Sequence, residues 1–290
     1  MSRVGTALIA LALVPTLSTA AEIARARYLM GTVCEVAAGG DAAEQRIAAA
    51  FAEAARIEQM LSTWRADSEL SRLNAGDADA ASPELRALLA AVDAWRARTG
   101  GAFEPRIRPL LDAWRTRDEG AVPAEQIIVS ALQSIRGGKA AIEEGAFGKG
   151  YAIDRMLEHV DFVNFGGQIG VRGRRTAAIA HPARRDEPLL ELMIADASLS
   201  TSSGSEKTFR AGNRIFTHII DPRNGRALPP RGSVSVVAAS AFEADILSTA
   251  LYVMGPEEGL PWADAQGVAA VFITPDLNVR TSAAFRRLKE

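Results

Sequence analysis

The sequence predicts an α+β fold, and three observations carry that expectation. Helix-like and strand-like periodicities are mixed along the chain instead of alternating strictly. Several strand patterns follow one another directly. No low-complexity linker or composition shift divides the 290 residues, so any two lobes must be intimately packed. With 48% hydrophobic residues, the chain is long enough for one large domain or two tightly joined lobes around a sizeable core.

The N-terminus reads as a secretory leader. Arg3 supplies a positive charge, Val4 to Val14 form an apolar stretch interrupted by Pro15, and Ser18-Thr19-Ala20 offers small residues before a cut at Ala21. The apolar run is too short for a stable membrane anchor, and no second stretch approaches the ~20 apolar residues a spanning helix needs. Residues 1–20 are therefore expected to be a signal peptide and 21–290 the mature domain, exported, soluble and, in a bacterium, periplasmic. The sole cysteine, Cys34, permits no intramolecular disulfide and reads as a buried strand residue.

Residues 27–37 are rich in β-formers and read as a strand ended by Gly39-Gly40. An amphipathic helix is expected from Asp41 to about Leu61, with Ile47, Phe51, Ala54, Ile57, Met60 and Leu61 on one face. A second helix spans 83–99, carries Leu85, Leu88, Leu89, Val92 and Trp95, and closes at Gly100-Gly101. Strand-like alternation recurs at 161–172, 176–180, 188–195 and 233–238. A helix then runs from near Ala241 to Gly255-Pro256, and Val268 to Thr274 form a last buried strand. No repeat of 20–50 residues is visible.

A net charge of −2 with scattered lysine and arginine excludes a nucleic-acid or anionic-membrane footprint. Chemistry-bearing residues gather in a few places. Gly145, Gly148 and Gly150 flank Lys149, so the backbone there can approach a phosphate and the lysine can neutralise it. The spacing is not that of a P-loop, and a turn with a solvated lysine fits the local pattern equally well. Asn164-Phe165-Gly166-Gly167-Gln168 reads as a tight turn after an apolar run, and Thr201 to Ser205 as a hydroxyl-rich turn. His218, three residues before Asp221, is an imidazole that an acid can orient for proton abstraction, although a structural histidine fits the local pattern as well. His159 and His181 lack such a setting and read as structural. Asp245 and Thr249 are four apart on one helix face with Ser248 adjacent, oxygen donors of the kind Mg²⁺ takes; a helix-capping cluster is the competing local reading.

The order of these pieces resembles the ApbE-type FAD:protein FMN transferase family over nearly the whole mature chain. The resemblance rests on Leu29-Met30-Gly31-Thr32, the fourteen positions from Leu61 to Asn74, Ala102-Phe103-Glu104-Pro105, the Gly-Lys-Gly segment, Asn164 to Gln168, His218 to Gly225 and Ala244 to Ala250. It implies a duplicated βαβ-type architecture, two packed lobes around an FAD cleft, and Mg²⁺. The implied reaction is attack by a protein threonine or serine hydroxyl on the FAD pyrophosphate, leaving FMN in phosphoester linkage and releasing AMP. The acceptor would be another protein, an exported or membrane redox subunit.

By the same resemblance Asp245 and Thr249 would be metal ligands, with Ala146 and Ser248 completing the shell. Lys149 would lie against the nucleotide, and His218 would be the base, with Asp221 orienting it or sharing the role. Trp64 stands where the family usually has tyrosine beside the isoalloxazine, and Met30, Ala102, Phe103, Glu104, Glu143 and Ile220 would contact other parts of FAD. The family usually has aspartate at Glu104, Glu143 and Gln168, and threonine and glycine at Arg106 and Arg108. The two extra cations are expected to reshape the nucleotide pocket or bind another phosphate. Two alternatives stand beside the transferase: an Mg²⁺-dependent FAD pyrophosphatase that uses water, and a non-catalytic exported FAD-binding protein.

Overall fold

A computed structural model describes residues 22–115, 121–138, 140–205 and 208–288. The expected leader, residues 1–20, lies outside the described residues. In chain order the elements are β1 (Ile23–Leu29), β2 (Thr32–Ala38), α1 (Ala43–Leu61), α2 (Glu69–Asn74), α3 (Pro83–Arg98), α4 (Arg108–Arg115), α5 (Glu125–Arg136), α6 (Gly148–Met156), β3 (Phe162–Phe165), β4 (Gln168–His181) and β5 (Arg184–Ser203). Then come β6 (Thr208–Ala211), β7 (Arg214–Thr217), β8 (Ile220–Asp221), β9 (Arg226–Ala227), β10 (Ser233–Ala238), α7 (Ala241–Gln266), β11 (Ala269–Ile273), β12 (Val279–Thr281) and α8 (Ala283–Arg287).

Eight strands form one sheet in the order β1-β2-β3-β4-β5-β10-β11-β12. Every neighbouring pair is antiparallel, which bears out the α+β class. On one face α1, α6 and α7 bury Cys34, Val36, Val163, Phe165 and Val236 in the main core. Burial pushes the Cys34 thiol up to about 12, Glu35 adding to the effect, as suits an inert strand residue. A satellite core beneath α4 and α5 joins Leu110, Trp114 and Ile128 to Ile220. Among the described residues no helix is long and apolar enough to cross a membrane.

The strand read over 27–37 is instead the turn of a hairpin. Met30 (φ 44°) and Gly31 (φ 76°) are both left-handed, the two-residue turn that matches strand twist. A Met-Gly pair lacks the Asn-Gly signal, so a run of β-formers conceals it. The stretch 161–172 likewise splits at Gly166-Gly167 into β3 and β4. The patterns at 176–180 and 188–195 belong to one long hairpin of β4 and β5, whose register shifts between Val171 and Arg174. There the hairpin folds back: Ala177, Ile179, Leu192 and Ile194 pack with Val237, Val271 and Ile273 on the sheet's second face. Its tip comes so close that Ser203 Oγ lies 3.4 Å from the Pro182 carbonyl. The expected turn at 201–205 is thus mostly strand, with Thr201 to Ser203 paired to β10. Helix α7 breaks at Gly255 (φ 72°), as the Gly-Pro pair predicts, and continues beyond to Gln266.

Candidate active site

One cleft of about 1730 Å³ opens where the β1–β2 turn, the end of α1, the start of α6, the β3–β4 turn and α7 converge. Its volume exceeds the ~300–1,000 Å³ of ordinary small-molecule pockets. Met30, Trp64, Ala102, Phe103, Glu104 and Glu143 line it, and so do Ala146, Lys149, His218, Ile220, Asp245 and Thr249. Two predicted residues, Asp221 and Ser248, are not among its lining residues.

Asp221 is buried, 5% exposed, and its carboxylate is engaged by its own turn. It accepts from the Arg223 backbone N–H at 2.9 Å, from the Arg223 guanidinium at 3.0 Å and from Asn224 Nδ2 at 3.2 Å. These bonds shape the turn that follows His218. Ser248 sits behind the cleft wall, its Oγ 2.9 Å from Ser202 Oγ and 3.2 Å from Ser200 Oγ, donating to the Asp245 carbonyl at 3.0 Å.

The Gly-Lys-Gly segment differs from the phosphate-cradling loop its glycines suggested. Gly148 to Gly150 form the first turn of α6, and Gly150 is the point where that helix meets α7. A Cβ on Gly150 would lie 2.4 Å from the Ala241 carbonyl oxygen and 2.8 Å from Asp245 Cβ. Its N–H donates to Asp245 Oδ2 at 3.0 Å, so the glycine serves helix contact and orients the carboxylate. Lys149 still faces the cleft.

Trp64 is 85% exposed at the rim, an apolar ring with no packing reason to be there. Beside it, Thr63 Oγ1 donates to Glu143 Oε2 at 3.3 Å, and Arg108 Nη1 pairs with Glu143 Oε1 at 2.6 Å. Glu104, 6% exposed, pairs with Arg96 and accepts the Arg106 backbone N–H at 3.0 Å. Arg106 and Arg108, expected to reshape the nucleotide pocket or bind another phosphate, act on the cleft only indirectly, Arg108 through its pairing with Glu143. Arg106 turns to Asp93, Arg108 to Asp112 and Glu143, and neither is among the lining residues. Each cation is matched by a nearby carboxylate.

Several lining residues escaped the sequence reading. Glu144 lies in the wall with Oε2 buried and without a hydrogen-bond partner, and burial pushes its carboxyl above the ordinary range. Its only sequence signal is the paired acid at Glu143-Glu144. Ser200 also lines the cleft, next to Ser202 of the expected hydroxyl-rich stretch, whose Oγ lies 3.4 Å from Thr249 Oγ1. The period-two spacing of Ser198, Ser200 and Ser202 could have revealed that hydroxyl row. His181, read as structural, reaches the cleft at the tip of the folded-back hairpin, its Nδ1 accepting the Ala183 N–H at 3.1 Å.

Among the described residues no three His, Cys, Asp or Glu side chains cluster as a metal cage. The Asp245 carboxylate, the Thr249 hydroxyl and the Ala146 segment line the cleft together. That is a set of hard, mostly neutral oxygens of the kind that leaves room for waters and substrate phosphates around Mg²⁺.

The family model described as the ApbE family matches residues 30–272. A protein of Treponema pallidum named FAD:protein FMN transferase is 28% identical, the match covering 90% of this chain and 87% of that protein. A Vibrio cholerae protein of the same name is 26% identical over 75% of each chain. Among solved structures, the apo form of the flavinyl transferase ApbE of Pseudomonas stutzeri matches with a TM-score of 0.81 and 25% identity, covering 94% of this chain and 98% of that one. An ApbE protein of Thermotoga maritima matches the fold with a TM-score of 0.83 at 20% identity, covering 93% of this chain and 100% of that one. With the family's sequence signature running through most of its length and the family's fold around one large cleft, the chain belongs to the ApbE family.

Proposed function

We propose that this chain is an FAD:protein FMN transferase, moving FMN from FAD onto a threonine or serine hydroxyl of an acceptor protein with Mg²⁺ as cofactor. One observation carries this reading: an exposed indole, a lysine, a carboxylate–hydroxyl pair and a histidine all line a single cleft large enough for a dinucleotide. The names of the matched relatives support it.

In this reading the hydroxyl oxygen attacks the FMN-side phosphorus of the pyrophosphate. A new P–O bond joins FMN to the acceptor, the P–O–P linkage breaks, and AMP leaves. His218 takes the hydroxyl proton, a role suited to an imidazole near neutral pH. Asp221 contributes by holding the turn that follows His218. Asp245, Thr249 and the Ala146 backbone oxygen would hold Mg²⁺, with Ser248 supporting them from behind. When bound, the metal neutralises charge on the pyrophosphate oxygens. Lys149 adds a positive charge to the same group. Trp64 offers a stacking face for the isoalloxazine. Met30, Ala102, Phe103, Glu104, Glu143 and Ile220 shape the rest of the FAD site. The leader-like N-terminus supports export to the periplasm, where an exported or membrane redox subunit would be the acceptor.

The test incubates the purified chain with FAD, Mg²⁺ and a threonine-containing acceptor. Flavin fluorescence on the denatured acceptor together with AMP release supports transfer. AMP without labelling makes the chain an FAD pyrophosphatase, and unchanged bound FAD makes it a carrier.

A further inference from the structure

The first peptide units of α7 are held from two other elements. The Asp154 carboxylate, on α6, accepts Ser240 Oγ–H and Ala241 N–H at 2.6 Å each and Phe242 N–H at 3.0 Å. Gln168, the first residue of β4, donates from Nε2 to the Ala241 carbonyl at 3.0 Å. Ala241 is therefore gripped through both its N–H and its C=O. The same carbonyl is the atom against which Gly150 packs, and one turn along the helix Asp245 accepts the Gly150 N–H.

This grip exceeds what a helix start needs. Ser240 already caps α7, its hydroxyl accepting the Glu243 N–H at 3.3 Å. Gln168 is 4% exposed and its Oε1 is buried with no hydrogen-bond partner. Leaving a buried amide half satisfied costs free energy, so the donated bond to Ala241 has to be worth keeping. An aspartate at this position has no N–H to give that carbonyl.

We infer that Asp154 and Gln168 are positioning residues for the metal-binding carboxylate: they lock α7 against α6 and β4 so that Asp245 points into the cleft at a fixed depth. The inference rests on the Mg²⁺ reading of Asp245 and adds the residues that make the site precise. Asp154 lies outside the cleft, whereas Gln168 lines it and in this scheme acts through its bond to the Ala241 carbonyl. Partners behind a metal ligand typically change metal affinity ~10–100-fold when removed.

The experiment measures Mn²⁺ binding directly, by calorimetry and by the loss of the free-ion electron-spin signal, with FAD present and absent. It is run on the wild-type chain, Asp154→Asn, Gln168→Leu and the control Ile194→Ala, which thins the sheet's second face far from α7's first turn. The half-saturating Mg²⁺ concentration and the melting temperature are recorded alongside. Both clamp variants should bind Mn²⁺ about 10–100-fold more weakly, and Asp154→Asn, outside the cleft, should leave FAD binding in EDTA unchanged. Ile194→Ala should lower the melting temperature and leave the Mn²⁺ constant in place. If Asp154→Asn does not fold, Gln168→Leu carries the comparison. Clamp variants that melt earlier yet bind Mn²⁺ within twofold of wild type would reduce the grip to ordinary capping and overturn the inference. A wild-type chain that binds no metal would overturn it together with the Mg²⁺ reading. Normal metal binding without flavin transfer counts against the transferase reading alone.

Discussion

Gly150 donates its backbone N–H to Asp245 Oδ2 at 3.0 Å, and no side chain fits between the two helices at that point. Alanine in a helix is ordinarily worth ~1 kcal/mol over glycine. Here the added methyl would meet the Ala241 carbonyl oxygen at 2.4 Å, and two backbones must part to admit it. Gly150→Ala should therefore destabilise by about 1–3 kcal/mol and raise the half-saturating Mg²⁺ concentration. Thermal unfolding and a Mg²⁺ titration check both, and a gain in stability would contradict the packing.

Removal of the Asp245 carboxylate should abolish Mg²⁺-dependent turnover while leaving the fold largely intact. Asp245 is 6% exposed, and Asp245→Ala releases the Gly150 N–H that its carboxylate accepts. AMP release against Mg²⁺ concentration, with circular dichroism as the fold control, is the measurement. Undiminished turnover would remove Asp245 from the metal site.

His218→Ala should slow transfer by roughly 10²–10⁴-fold, the usual contribution of a positioned base. FAD affinity should stay near wild type, because the imidazole serves the incoming hydroxyl. Fluorescence titration of FAD and single-turnover labelling separate the two effects. A loss of FAD binding would make His218 a pocket residue instead.

Trp64→Ala should change stability by less than ~0.5 kcal/mol, since the ring is 85% exposed and packs on little. Its effect should fall on FAD, because stacking of an aromatic base is worth about 1–3 kcal/mol, or ~5- to 150-fold in affinity. Trp64→Tyr should restore most of it. Equal FAD affinity in Trp64→Ala would remove the indole from the flavin site.

Glu144→Gln should stabilise the protein at neutral pH and lose that advantage in acid. Burial raises the Glu144 carboxyl above its ordinary 4.5, so the folded state holds its proton more tightly than the unfolded state. Stability from this group is full below 4.5 and is lost as pH rises through the folded-state value. The variant removes the buried charge, so the two melting curves should converge below pH 4.5 and separate above it. A constant difference at all pH values would show that Glu144 does not titrate in that window.

Much of this was written locally. The stripe from Ile47 to Leu61 and the capped start of α3 at Ser82-Pro83 declare their helices, because a 3.6-residue apolar period needs no distant partner to be read. The run Ser233–Ala238 and the break at Gly255-Pro256 were equally plain. The Met30-Gly31 hairpin and the fold-back of β4–β5 were not, since a turn without its usual residues and a bend at a register shift leave no periodic trace.

The candidate site divides the same way. The sequence by itself determined which chemical groups are available and their family order: Lys149, His218, Asp245, Thr249 and the aromatic Trp64. Only the tertiary structure decided their partners. It turned Gly150 from a phosphate cradle into a helix contact, tied Asp221 to Arg223, and matched Arg106 and Arg108 with Asp93, Asp112 and Glu143. The physical reason is that residue identity sets the charge and hydrogen-bonding capacity a side chain carries. Which group uses that capacity depends on the folded geometry, as where Arg108 meets Glu143 and Gly150 meets Asp245 from distant parts of the chain.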